Sequence, residues 1–183
     1  VAKSASYIDY VSPYHPVVGD SGMVVSQNKL SSDIGIEILN KGGNAVDAAV
    51  AVGFSLAITL PRAGNLGGGG FMLVYIKDMD EAFFIDYRSQ SPLNTGLKDI
   101  FKKYNLPKDY KKIDFNIVKE GYKASALPGT VAGLLDAHEN FGSLSLEEIL
   151  EPVISQAKEG IIVTYDLNKA IESTPQLLKD AES

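Results

Sequence analysis

The 183-residue sequence contains no cysteine, which removes disulfides, thiolate nucleophiles and sulfur metal sites from the available chemistry. It leaves the compartment open, because a core of this size needs no covalent staple. Basic residues are in deficit, 17 against 23 acidic, for a net charge of −6. Such a chain repels polyanions, so neither nucleic acid nor an anionic membrane is expected as a partner. A membrane-length hydrophobic run is also missing: the uncharged stretch after Asp47 covers about a dozen residues, short of the roughly 18 that cross a bilayer. The opening residues VAKSASYIDYVSPYHPVVGD have neither the basic start nor the apolar stretch of a secretion signal, which predicts a processed or trimmed chain. The two histidines, His15 and His138, stand apart with no second ligand at metal spacing. Both read as surface residues, and no metal or cofactor is expected.

What remains is an ordinary folding composition, 45% apolar and 22% charged, for one compact unit or part of a larger one. Residues 1–22 are rich in Tyr, Ser and Pro without periodicity and read as an extended surface arm, with regular structure starting at Met23 to Val25. Leu30, Ile34 and Ile38 recur at helical spacing up to Asn40, and Gly42 with Gly43 supplies a left-handed stop. Asn44 offers an N-cap, Asp47 sits in the favoured acidic first turn, and the Ala- and Val-rich run to Leu60 ends against Pro61. Apolar on nearly every side, this second helix is expected in the core.

Phe71 to Ile76 and Phe83 to Arg88, separated by a polar stretch, form a hairpin pattern. The Lys- and Tyr-rich segment that follows predicts one short helix near Leu97 to Tyr104. Thr130 reads as the N-cap of a helix over Val131 to Asn140, stopped by Gly142. Ser145 and Glu148 have capping-box spacing for the next helix, with a break and a new start expected at Pro152. Helical pattern resumes from Thr164.

The strongest local oddity is Gly67 to Gly70, preceded by Gly64, Asn65 and Leu66. Adjacent glycines abandon side chains where the backbone passes close to something or takes positive φ. A phosphate loop is the familiar alternative, but a strand follows here and no Lys is near.

Four stretches carry a resemblance. GGNAVDAAVAVGFSLA (Gly42 to Ala57), PRAGNLGGGGFMLV (Pro61 to Val74), DYR (Asp86 to Arg88) and LPGTVAG (Leu127 to Gly133) appear in the order and approximate spacing of γ-glutamyltranspeptidases. The likeness spans most of residues 23–160. It implies an α+β fold of the N-terminal nucleophile hydrolase type, an αββα four-layer sandwich present here only in part. Residues 23–183 would be the N-terminal portion of a large subunit. The family nucleophile is a threonine at the start of the small subunit, whose own amine serves as base. Val1 cannot fill that role, and Thr130 is internal with a sufficient structural role as a cap, so no catalytic residue is expected in this chain. The partner implied is the small subunit or C-terminal remainder of the same proenzyme, which would carry that threonine, in a periplasmic or secreted enzyme acting on a small-molecule γ-glutamyl substrate.

Arg88 is the residue that matches a family substrate contact, the arginine holding the α-carboxylate of the γ-glutamyl group. A guanidinium is a rigid fork that fits a carboxylate bidentately. Read from the residues alone, a salt bridge to Asp86 or a plain surface charge is the stronger reading, and the resemblance reverses that order. Ser89, Gln90, Ser91 and Pro92 replace the acidic residue and Ala-Pro usual after this arginine. That departure keeps open a relative that cuts or transfers poly-γ-glutamate capsule polymer, and a non-catalytic binding module is the reading of another class.

Overall fold

The computed structural model describes residues 17–92, 102, 105 and 125–173. All but residue 102 of the helix expected near Leu97 to Tyr104 falls outside them, as do His15 and residues 1–16 of the expected arm.

Helix α1 (Lys29–Asn40) starts where the Asn28 side chain accepts the N–H of Leu30, and it ends where Gly42 takes φ +94°. The Gly42 and Gly43 N–H groups then close on the carbonyls of Leu39 and Ile38, which satisfies the last turn. Met23 to Val25 form no regular structure, contrary to expectation. Met23 and Val25 are exposed, and no described strand pairs with them, so the extended backbone has no ladder to join.

Helix α2 (Ala45–Thr59) is capped by a reciprocal box. The Asn44 side chain accepts from Val46 and Asp47, and the Asp47 carboxylate accepts the Asn44 N–H. α2 lies against α1 on one side and against α3 (Thr130–Phe141) and α4 (Leu146–Glu159) on others. Ile34, Ile38, Val46, Val50, Leu134, Ile149 and Val153 form the shared core.

The hairpin is β1 (Gly70–Ile76) and β2 (Glu81–Tyr87), antiparallel, with Gly70 opposite Tyr87 and Leu73 opposite Phe84. Its turn places Asp80 at φ 51°, and the Asp80 carboxylate accepts the Tyr75 hydroxyl at 2.8 Å. Alternation divides the ribbon. Met72, Val74, Ile76 and Ile85 pack on the helices, and Phe83 meets Phe141 with ring centroids 4.9 Å apart. Phe71, Leu73, Tyr75 and Phe84 face away and stay 54 to 73% exposed.

Two expectations need correcting. α4 runs through Pro152 without a break. The capping box at Ser145 and Glu148 anchors its start, and Ile149 and Val153, 0 and 5% exposed, hold both sides of the proline in the core; burial outweighs one lost backbone bond. Thr130 is the first residue of α3 and not its cap, which is Gly129 without any side-chain bond. As expected from Thr164 onward, a short exposed helix α5 (Tyr165–Glu172) follows, capped by the Thr164 side chain. The result is one helical layer on one face of a two-stranded ribbon, an α+β fold holding part of the four-layer sandwich.

Candidate functional site

The site is assembled where three separated motifs meet at the end of β2. Asp86 Oδ1 accepts the backbone N–H of Arg88 at 3.0 Å, a local turn that ends the strand. The carboxylate of Asp86 therefore serves the main chain, and no Asp86–Arg88 ion pair forms. Arg88 is exposed, and its guanidinium has no carboxylate partner among the described residues.

Two residues further on, Gln90 exchanges both backbone hydrogen bonds with Leu127, at 3.0 and 2.7 Å. This bridge ties the strand end to the LPGTVAG segment. The same segment is tied to the glycine run, since the Gly68 carbonyl accepts Gly129 N–H at 2.8 Å and Thr130 N–H at 3.2 Å. An open groove of about 580 Å³ lies along this junction, lined by Arg88, Gln90, Pro128, Asp136 and Glu139 among others. It offers one cation and several anionic or amide groups on a frame fixed by backbone bonds.

The glycines allow this convergence. A Cβ on Gly69 would lie 2.6 Å from the Tyr87 carbonyl oxygen and 2.9 Å from Arg88 C, far inside van der Waals contact. Tyr87 itself is half-buried between the ribbon and α3, and that burial raises its phenol pKa above the ordinary value.

Elsewhere the expected residues are structural. His138 Nε2 lies 2.8 Å from the Leu144 carbonyl on a half-buried ring, so it bridges α3 to the following turn and is not the plain surface residue expected. Asp47 does more than complement the helix start: it is fully buried and accepts from Asn44, Ser143 and Leu144. The capping spacing from Asn44 to Asp47 signalled one of these bonds; nothing local signals the others. Tyr87 carries no local signal either, because its neighbours come from two distant segments, 69–71 and 129–133. Among the described residues no helix is long and apolar enough to cross a membrane.

The fold matches solved structures closely. Helicobacter pylori gamma-glutamyltranspeptidase aligns with TM-score 0.78 at 32% identity, over 90% of this chain and 46% of that one. The Pseudomonas nitroreducens gamma-glutamyltranspeptidase complexed with L-DON aligns with TM-score 0.76 at 39% identity, over 89% and 46%. The Bacillus anthracis transpeptidase enzyme CapD gives 0.64 at 30% identity, over 85% and 45%. Residues 31–183 match the family model for gamma-glutamyltranspeptidase, and the chain belongs to that family. Among curated relatives it is 42% identical over 162 residues to the glutathione hydrolase proenzyme of Escherichia coli (strain K12), covering 88% of this chain. It is 37% identical over 170 residues to that of Pseudomonas sp. (strain A14), covering 90%. The chain spans 27 to 28% of the length of these two relatives.

Proposed function

We propose that residues 23–183 are the N-terminal portion of the large subunit of a self-cleaving proenzyme that transfers or hydrolyses γ-glutamyl groups, those of glutathione and related amides. The observation that carries this reading is Arg88, which has no carboxylate partner among the described residues and lines a groove where two family motifs are joined by backbone bonds. Arg88 binds the α-carboxylate of the γ-glutamyl group as a bidentate fork. A threonine elsewhere in the proenzyme attacks the γ-carbonyl. Its hydroxyl proton passes through the base to the leaving amine, and an acyl-enzyme forms that water or an amino acceptor resolves. The 54 to 73% exposure of Phe71, Leu73, Tyr75 and Phe84 supports a partner layer from the remainder of the proenzyme covering the ribbon. Family likeness supports a periplasmic or secreted setting.

The test is Arg88→Ala in the complete, matured enzyme. Leaving a bound carboxylate without its partner lowers kcat/KM for a γ-glutamyl amide by about 2–5 kcal/mol; an unchanged value sinks the assignment. A second reading, a poly-γ-glutamate depolymerase or transferase, is favoured by the likeness to CapD and by Ser89 to Pro92 after the arginine. Turnover of the polymer in preference to glutathione selects it. Binding of γ-glutamyl compounds without turnover of either substrate selects a non-catalytic module.

A further inference from the structure

We infer that Tyr87 is a positioning residue for Arg88, clamped by glycines of both flanking motifs so that the arginine is turned away from α3; this rests on the carboxylate role proposed for Arg88. Four glycines from two stretches of chain abut this one residue. A Cβ on Gly133, in α3, would overlap Cβ, Cγ and Cδ1 of Tyr87. A Cβ on Gly129 would overlap the Tyr87 carbonyl oxygen and come within 2.9 Å of its carbonyl carbon. A Cβ on Gly69 would lie 2.6 Å from the same carbonyl oxygen and would also overlap the Ser89 nitrogen, and a Cβ on Gly70 would lie 2.8 Å from Cε2 at the ring edge.

Three of these four contacts are with backbone or Cβ atoms, which cannot rotate out of the way. The clamp therefore fixes the path of residues 87–89, not merely the ring. The Gly68 carbonyl bonds to Gly129 and Thr130, and the Gln90–Leu127 bridge closes the frame on the far side. Successive residues at a strand end point to opposite sides. With the Tyr87 side chain seated against α3, the side chain of Arg88 is sent the other way. A one-residue slip would turn the arginine toward the helices and the tyrosine toward solvent. The phenol contributes little to this: its oxygen lies 3.5 Å from the Phe71 carbonyl, at the limit of a hydrogen bond. The device is steric, a large ring at 87 with no side chains at 69, 129 and 133.

The experiment uses the complete matured enzyme and two donors, a γ-glutamyl anilide and the 4-aminobutyryl anilide that lacks the α-carboxylate. The readout is the ratio of their kcat/KM values. Arg88→Ala lowers the preference for the carboxylate donor by about 30-fold or more. Tyr87→Ala and Gly133→Ala lower the same preference by about tenfold, mainly through KM, and Tyr87→Phe restores it. Where Tyr87→Ala does not mature, Tyr87→Leu is read in the same way. If Arg88→Ala lowers the preference while the Tyr87 and Gly133 variants slow both donors equally, Tyr87 is ordinary packing and this inference falls alone. If Arg88→Ala leaves the preference unchanged, the carboxylate role falls and takes this inference with it.

Discussion

Asp47 and Ser143, 96 positions apart, are joined through one carboxylate: it accepts the Ser143 hydroxyl at 2.6 Å and the Ser143 backbone N–H at 3.0 and 3.1 Å. The same carboxylate takes the Asn44 N–H at 2.8 Å, and Asn44 Nδ2 donates to the Phe141 carbonyl at 2.7 Å. The first family motif is thus a clasp on the α3–α4 turn. It holds the helix whose opening residues carry Gly129 and Gly133 to the site. Asp47→Ala would leave the half-buried N–H groups of Asn44 and Leu144 and the N–H of Ser143 without this acceptor, each costing up to about 1–3 kcal/mol. The expected loss of unfolding free energy is about 3 kcal/mol or more, and Asp47→Asn, which keeps one acceptor oxygen, loses less. Chemical denaturation measures both, and an Ala variant as stable as the parent would refute the clasp.

The box that starts α4 predicts a pH dependence. Ser145 donates its hydroxyl to Glu148 at 2.6 Å and its N–H at 2.9 Å, and these bonds hold the Glu148 carboxyl below the ordinary glutamate range. A carboxyl depressed in the folded state contributes stability above its unfolded pKa and loses it as pH falls through the folded value. The melting temperature of Ser145→Ala should therefore lie below the parent at neutral pH, and the gap should narrow on acidification through the glutamate range. The gap does not close, because the Ser145 hydroxyl also caps the Glu148 N–H at 3.3 Å. Melting curves across that range decide the point; a gap independent of pH would contradict it.

Pro152 sits inside α4, where it cannot donate to the carbonyl four residues back. An interior proline costs about 3 kcal/mol relative to alanine, partly offset because proline also restricts the unfolded chain. Pro152→Ala is expected to stabilise the protein by about 1–2 kcal/mol. The denaturation midpoint should rise with an unchanged slope. A lower midpoint would mean that the half-buried ring packs better than the restored bond.

Features decided within a few residues were legible in the sequence. Gly42 ends α1 with the positive φ its position suggested, and the polar stretch after Ile76 does turn the chain between two strands. Asn44 caps α2 for the same reason: its partners are two and three residues away. What was not legible depends on segments distant in sequence. The partners of Asp47 on the α3–α4 turn, the clamp around Tyr87 and the burial that carries α4 across Pro152 all belong to packing. Arg88 lies between these cases. Its place at a strand end could be read, but the engagement of Asp86 with the backbone, and the lack of a carboxylate partner for the guanidinium among the described residues, required the fold.

Arg88→Lys separates charge from shape at the proposed carboxylate site. Lysine keeps the positive charge but replaces a planar fork by a single rotating ammonium. If the fork matters, kcat/KM for a γ-glutamyl donor falls by about 1–3 kcal/mol, less than for Arg88→Ala, because a charge-assisted bond survives while bidentate geometry is lost. Steady-state kinetics of the three forms at one pH gives the ordering directly. A lysine variant equal to the parent would show that a point charge suffices. In that case the frame built by Gly68, Gly129, Gln90 and Leu127 would hold the backbone without setting the direction of the guanidinium.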